Sequence, residues 1–113
     1  MTSFLSLPVE LQRPILGYAL THPSLHEFLS FRTYVVEPYA TQEYTLSHEK
    51  LARNIIVACP SSKAVVLQVC KQREAEKEAE IERLPMMMEH DDGLVQYCVA
   101  YRWRILVLEL MES

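Results

Sequence analysis

Near the start of the chain, apolar residues recur at three- and four-residue steps: Leu7, Leu11, Ile15, Leu16, Ala19 and Leu20. That spacing marks one face of a helix running from Pro8 to about Leu20. Pro8 suits a first helical turn, where its missing N–H costs nothing, and Glu10 then sits where a negative charge is favourable. Pro14 removes one backbone bond and pushes Arg13 away from α geometry. Either the helix kinks at Pro14, or one turn ends near Arg13 and the main helix begins at Pro14. The second arrangement is preferred.

Thr21-His22-Pro23-Ser24 breaks the pattern, and Pro23 starts a second short helix carrying Leu25, Phe28 and Leu29. Residues 32 to 46 are rich in β-branched and aromatic side chains with Pro38 between them, which predicts extended chain or a short edge hairpin. Ser47 is a suitable N-cap for a helix from His48 to about Ala58, with Leu51, Ile55 and Ile56 inward. Cys59-Pro60-Ser61-Ser62 ends it. A long helix follows from about Lys63 to Leu84, apolar in "AVVLQVC" and densely charged in "KQREAEKEAEIERL". Arg73–Glu76, Lys77–Glu80 and Glu80–Arg83 are favourable pairs, opposed by Glu74–Glu78, Glu76–Glu80 and Glu78–Glu82. The pattern predicts a helix anchored in the core at one end and solvated at the other. Pro85 stops it and "PMMMEHDDG" reads as a linker. From Leu94 to Leu110 the set Leu94, Val95, Cys98, Val99, Arg102, Ile105, Leu106 and Leu110 fits a helix with a wide apolar stripe, while "RILVLEL" taken alone also fits a strand.

Composition narrows the function classes. A chain of 113 residues, half of them apolar, fits one domain with a real core. The formal net charge of −4 argues against free-standing nucleic-acid binding, which needs a dense basic face. Two glycines are too few for a phosphate-cradling loop or a dinucleotide fingerprint, and their scarcity favours helices over tight hairpins. The three cysteines, Cys59, Cys70 and Cys98, have no metal-type spacing and fit reduced thiols of an intracellular protein, cytoplasmic or nuclear. Neither a secretory signal nor the ~20-residue apolar run of a membrane span is evident.

Two stretches, "LSLPVELQRPILGYAL" at 5 to 20 and "LQVCKQ" at 67 to 72, together resemble the F-box and the fungal F-box-like modules. In those modules a Leu-Pro-x-Glu-Leu/Ile helix start precedes, by some tens of residues, a Leu-x-Val-Cys-Lys/Arg-Gln helix. The resemblance implies a small helical module that docks on the S-phase-kinase-associated adaptor of a cullin–RING ubiquitin ligase. Carried over residue by residue, the docking positions would be Leu7, Pro8, Glu10, Leu11, Ile15 and Leu16, with Val69 and Cys70 closing the module. The chain departs from the pattern at Pro14 and in lacking the Trp that often follows the Val-Cys step. No substrate-binding repeat follows.

Other residues invite chemistry less strongly. His22 and His26 are four apart, a spacing used by helical metal ligands, but Pro23 separates their faces and no third ligand is evident, so no metal is expected. The acidic Glu89–Asp92 run lacks a calcium-loop pattern. Cys70 lies on an apolar helix half and reads as a small buried hydrophobe, since no histidine is near it in sequence. Met86, Met87 and Met88 are adaptable contact residues or gap fillers. Tyr97, Tyr101 and Trp103 with Arg102 and Arg104 form an aromatic–basic cluster of the kind found at protein–protein hot spots, and some of it is expected to be core.

The expectation is thus a mainly α fold: an F-box-like helical module at 1–84 with a short extended segment near 33–46, and a linker and C-terminal helix at 85–113 packed on the same domain. It is expected to be non-catalytic and cofactor-free. Its partner-binding residues would be Leu7, Pro8, Glu10, Leu11, Ile15, Leu16, Met87, Tyr101 and Trp103. The alternative is a stand-alone module with the same fold that self-associates and has no ligase role.

Overall fold

The computed structural model describes residues 7–36, 43–83 and 90–112, with the backbone alone described at Val9 and at residues 90–92. The chain is mainly α: α1 (Val9–Ala19), α2 (Leu25–Val36), α3 (Ser47–Ala58), α4 (Lys63–Glu82) and α5 (His90–Glu112), with a 3-10 turn at Pro60–Ser62 between α3 and α4. There is no strand among the described residues.

The α4–α5 pair is the main contact of the fold. Leu67 and Leu110 line one cavity at one end, and Lys77 donates to Gln96 nearer the other, so the two helices run antiparallel. Val65, Val66, Val69 and Cys70 from α4 meet Val95, Val99, Trp103, Leu106 and Leu110 from α5 in one core, to which α1 adds Leu16 and α2 adds Phe31. Full burial of side chains this size is worth about 1.5–3 kcal/mol each.

Several expectations are corrected here. The first helix is continuous through Pro14 rather than beginning there, with Pro8 as its N-cap. Pro14 and Glu10, whose carbonyl loses its partner, are both exposed, so water can serve that carbonyl. The second helix is not short, because residues 33–36, expected to be extended, form its last turn. Phe28, Phe31, Tyr34 and Val35 stand at three- and four-residue intervals and pack on the core, so helical packing overrides β propensity there. Phe31, Tyr34 and Tyr44 then form an aromatic group with ring centroids 5.5–6.1 Å apart. Pro38 falls outside the described residues.

Ser47 is the first residue of α3 rather than its cap, and Leu46 holds the cap position. The Leu46 N–H donates to the Glu49 carboxylate at 2.9 Å. Leu51, Ile55 and Ile56 are only half-buried, while His48, Glu49 and Ala52 take the fully buried positions. The last segment is a helix and not a strand, and it begins at His90, inside what reads as linker. The charged half of α4 is not simply solvated: Lys77 is buried, donating to Glu80 at 3.1 Å and to Gln96 at 3.0 Å. Pro85 and Met86–Met88 lie outside the described residues.

Candidate functional site

α1 carries two apolar stripes. Leu16 and the following Leu20 point into the core and are essentially inaccessible. Leu11, Ile15 and Tyr18 point outward, 52%, 44% and 87% exposed. These three fall at i, i+4 and i+7, so they form one stripe, which the exposed Pro14 flanks, while the half-buried Leu7 precedes the helix. Pro8 and Glu10 are exposed at the same end.

The inner stripe is held by a polar network spanning the sequence. The Arg73 guanidinium donates to the carbonyls of Gly17 at 2.7 Å and Leu20 at 2.9 Å, which closes the C-terminal end of α1 with a positive charge. Arg73 also grips Glu76 at 2.8 Å. Glu76 accepts from His22 Nε2 at 3.2 Å, and Trp103 Nε1–H donates to His22 Nδ1 at 3.1 Å. Because Nδ1 accepts, the imidazole proton sits on Nε2, and the ring is neutral. Burial and the nearby Lys77 charge lower the His22 pKa, against the pull of Glu76, which agrees with that tautomer.

Trp103 also stacks on His48, with ring centroids 3.6 Å apart. Both ring nitrogens of His48 are buried without a hydrogen-bond partner. Burial holds the His48 pKa down at about 4, although Glu49 and Glu27 favour its charge. Beside it, Arg102 binds Glu49 through two bonds of 2.7 and 2.9 Å and also donates to the Tyr44 carbonyl. Burial alone would raise the Glu49 pKa, but the Arg102 bonds and the Leu46 N–H together hold it below the usual range. His22, His26, His48 and Glu27 line a polar cavity of about 430 Å³. Among the described residues no group of three or more His, Cys, Asp or Glu side chains could hold a metal ion. Burial pushes the Cys70 thiol up to about 12, so it stays protonated at neutral pH.

The structure therefore divides the expected partner residues. Leu11, Ile15, Pro8 and Glu10 are together on the surface of α1, and Tyr101 is 62% exposed on α5. Leu16 and Trp103 are core residues and offer no surface to a partner, a correction to their expected role. Leu16 belongs to the inner stripe, and Trp103 fills the centre with its one polar atom satisfied by His22. Met87 lies outside the described residues. Val69 and Cys70 are buried on α4, the helix against which α1 packs. The sequence pointed to Arg73 only as a helix pair with Glu76 and to His22 only beside His26, and it gave no chemical role to Glu49 or His48. The Arg73–Glu76 and Lys77–Glu80 pairs were legible from their spacing, whereas Arg102 stood out in an otherwise apolar stripe of α5 without naming its partner Glu49.

No helix among the described residues is long and apolar enough to cross a membrane. Comparison of the chain with protein-family models, with curated proteins and with solved structures finds no match.

Proposed function

We propose that this chain is a non-catalytic protein–protein interaction module whose docking face is the outward stripe of α1. The observation that carries the reading is the exposure of Leu11, Ile15 and Tyr18 on a helix whose opposite stripe is already buried. An apolar helix face presented to a groove is an ordinary mode of recognition. Leu-Pro-x-Glu-Leu at residues 7–11 is the F-box-like part of that face, so the specific partner proposed is the S-phase-kinase-associated adaptor of a cullin–RING ubiquitin ligase. Such a role would place the protein in the cytoplasm or nucleus.

The test is size-exclusion chromatography with light scattering on the purified chain, alone and mixed with the purified adaptor. A one-to-one complex lost in the Leu11→Asp/Ile15→Asp variant supports the reading. Point variants are preferable to removing residues 1–20, because that deletion also takes Leu16 and Leu20 out of the core. A stable dimer that ignores the adaptor would sink the ligase role and make the stripe a contact between copies.

A further inference from the structure

A second surface lies on the other side of α4. The groove between α4 and α5 has a volume of about 390 Å³ and is lined by Ile81, Ala100, Tyr97, Tyr101, Glu78 and Glu82, with Arg104 at one end. Its floor is apolar, since Ala100 is buried and Ile81 half-buried. One wall is aromatic: Tyr97 and Tyr101 are one helical turn apart and each is more than half exposed. The facing wall is acidic, with Glu78 and Glu82 also one turn apart.

The carboxylates of this wall differ from Glu76 and Glu80 on the same helix. Glu76 is held by Arg73 and His22, and Glu80 by Lys77. Glu78 and Glu82 form no ion pair among the described residues. Arg104, the basic residue of the groove lining, also favours the charged form of Glu74. Two carboxylates outside any such ion pair therefore share the groove with two exposed tyrosine rings and an apolar floor.

We propose that the α4–α5 groove is a docking site for a basic amphipathic segment of a protein partner. Apolar side chains would lie on Ala100 and Ile81. Lysine or arginine side chains would sit between the tyrosine faces and the carboxylates. Each cation would gain a charge-assisted bond on one side and a cation–π contact on the other. Anionic ligands are repelled by the same wall. The groove is built from other residues than the outward stripe of α1, so it stands independently of the docking proposed there.

The probe is a labelled synthetic helical peptide of leucine and lysine, with its leucine–glutamate counterpart as comparison, followed by fluorescence anisotropy and by amide chemical shifts of the full chain. The lysine peptide is expected to bind and the glutamate peptide not. Shifts should concentrate at Ile81, Tyr97, Ala100 and Tyr101. Glu78→Gln/Glu82→Gln and Tyr97→Ala/Tyr101→Ala should each weaken binding about tenfold or more, the equivalent of ~1.4 kcal/mol. The charge-matched Glu43→Gln/Glu112→Gln variant should stay within about twofold of the parent, since exposed charges far from a site are screened. Equal weakening by the charge-matched variant would overturn the proposal, because it would reduce binding to the net charge of the chain. So would unchanged binding in the tyrosine variant, shifts centred on α1, or no binding of the lysine peptide at all.

Discussion

Ile15 and Leu16 are adjacent and nearly equal in size, yet Leu16 is 1% exposed and Ile15 44%. The contrast extends to whole regions. Trp103 belongs to a core of buried apolar side chains, and the polar atoms that enter are answered by Arg73, Glu76, His22, Glu49 and Arg102, with His48 as the exception. Along Leu11, Ile15 and Tyr18 nothing among the described residues buries the stripe to that degree. Similar side chains serve stability in one region and remain available for recognition in the other, and one helix carries both. The difference is geometric: a hundred degrees of helix rotation per residue puts neighbours on different faces.

The contrast is tested most severely at Trp103. Trp103→Ala removes the largest fully buried side chain and leaves His22 and His48 without their ring contact. A loss of about 3–5 kcal/mol is expected in chemical denaturation, the usual cost of truncating a core aromatic. A loss below ~1 kcal/mol would mean that this cluster does not organise the core.

Acid should act on the same region. His48 in the unfolded chain takes its proton near its ordinary 6.5, but in the fold only at about 4. Its neutral burial therefore favours folding fully above pH 6.5, and that advantage is lost as the pH falls toward 4, by about 3 kcal/mol. His22, also lowered, contributes in the same direction. Glu49, whose pKa is lowered in the fold, adds a further loss once the pH drops below its ordinary 4.5. Denaturation midpoints measured across this range should fall in those two stages. His48→Phe, which keeps the stack on Trp103, should flatten the first. An unchanged first stage in that variant would assign it to other groups.

Arg73→Ala should cost less, about 2 kcal/mol, for the bonds to two helix-terminal carbonyls and one carboxylate. The loss should be local. Amide exchange should quicken at Gly17–Leu20 before it does along α5. Uniform quickening would show that Arg73 supports the whole core rather than the end of α1.

The parts of this fold legible in the sequence are those with strong period. α4 and α5 follow from the spacing of Val65, Val66, Val69 and of Val95, Val99, Leu106, and α3 from Ser47 onward is nearly right. The end of α2 was hidden because Tyr34, Val35 and Val36 have high β propensity, and only the core they meet decides in favour of helix. Pro14 misled because the rule against proline assumes that the lost bond matters, and here both Glu10 and Pro14 are exposed residues, where water can replace it. The Arg73–Glu76–His22–Trp103 network joins residues 20, 22, 73 and 103, and no local pattern announces contacts of that separation. Of the candidate surface, Leu11 and Ile15 were legible from the motif. Which leucine of that motif would be sacrificed to the core was not, because it depends on where α4 lies.

The smallest expected stability effect is the most informative about function. Leu16→Ala should cost about 2–5 kcal/mol, as deletions in a packed core do. Ile15→Ala, one residue away, should stay within about 0.5 kcal/mol of the parent in dilute solution, as surface substitutions do. If both hold, Ile15 has no partner within the folded chain and its burial awaits another molecule. Suppose instead that Ile15→Ala costs as much as Leu16→Ala. The stripe must then be covered in the isolated protein, and a second copy is the cover that dilution tests. Stability would then rise with protein concentration in the parent and cease to do so in the Leu11→Asp/Ile15→Asp variant, because only association makes folding free energy depend on concentration. The same pair of substitutions thus separates a docking helix held open for a partner from one already occupied by its own kind.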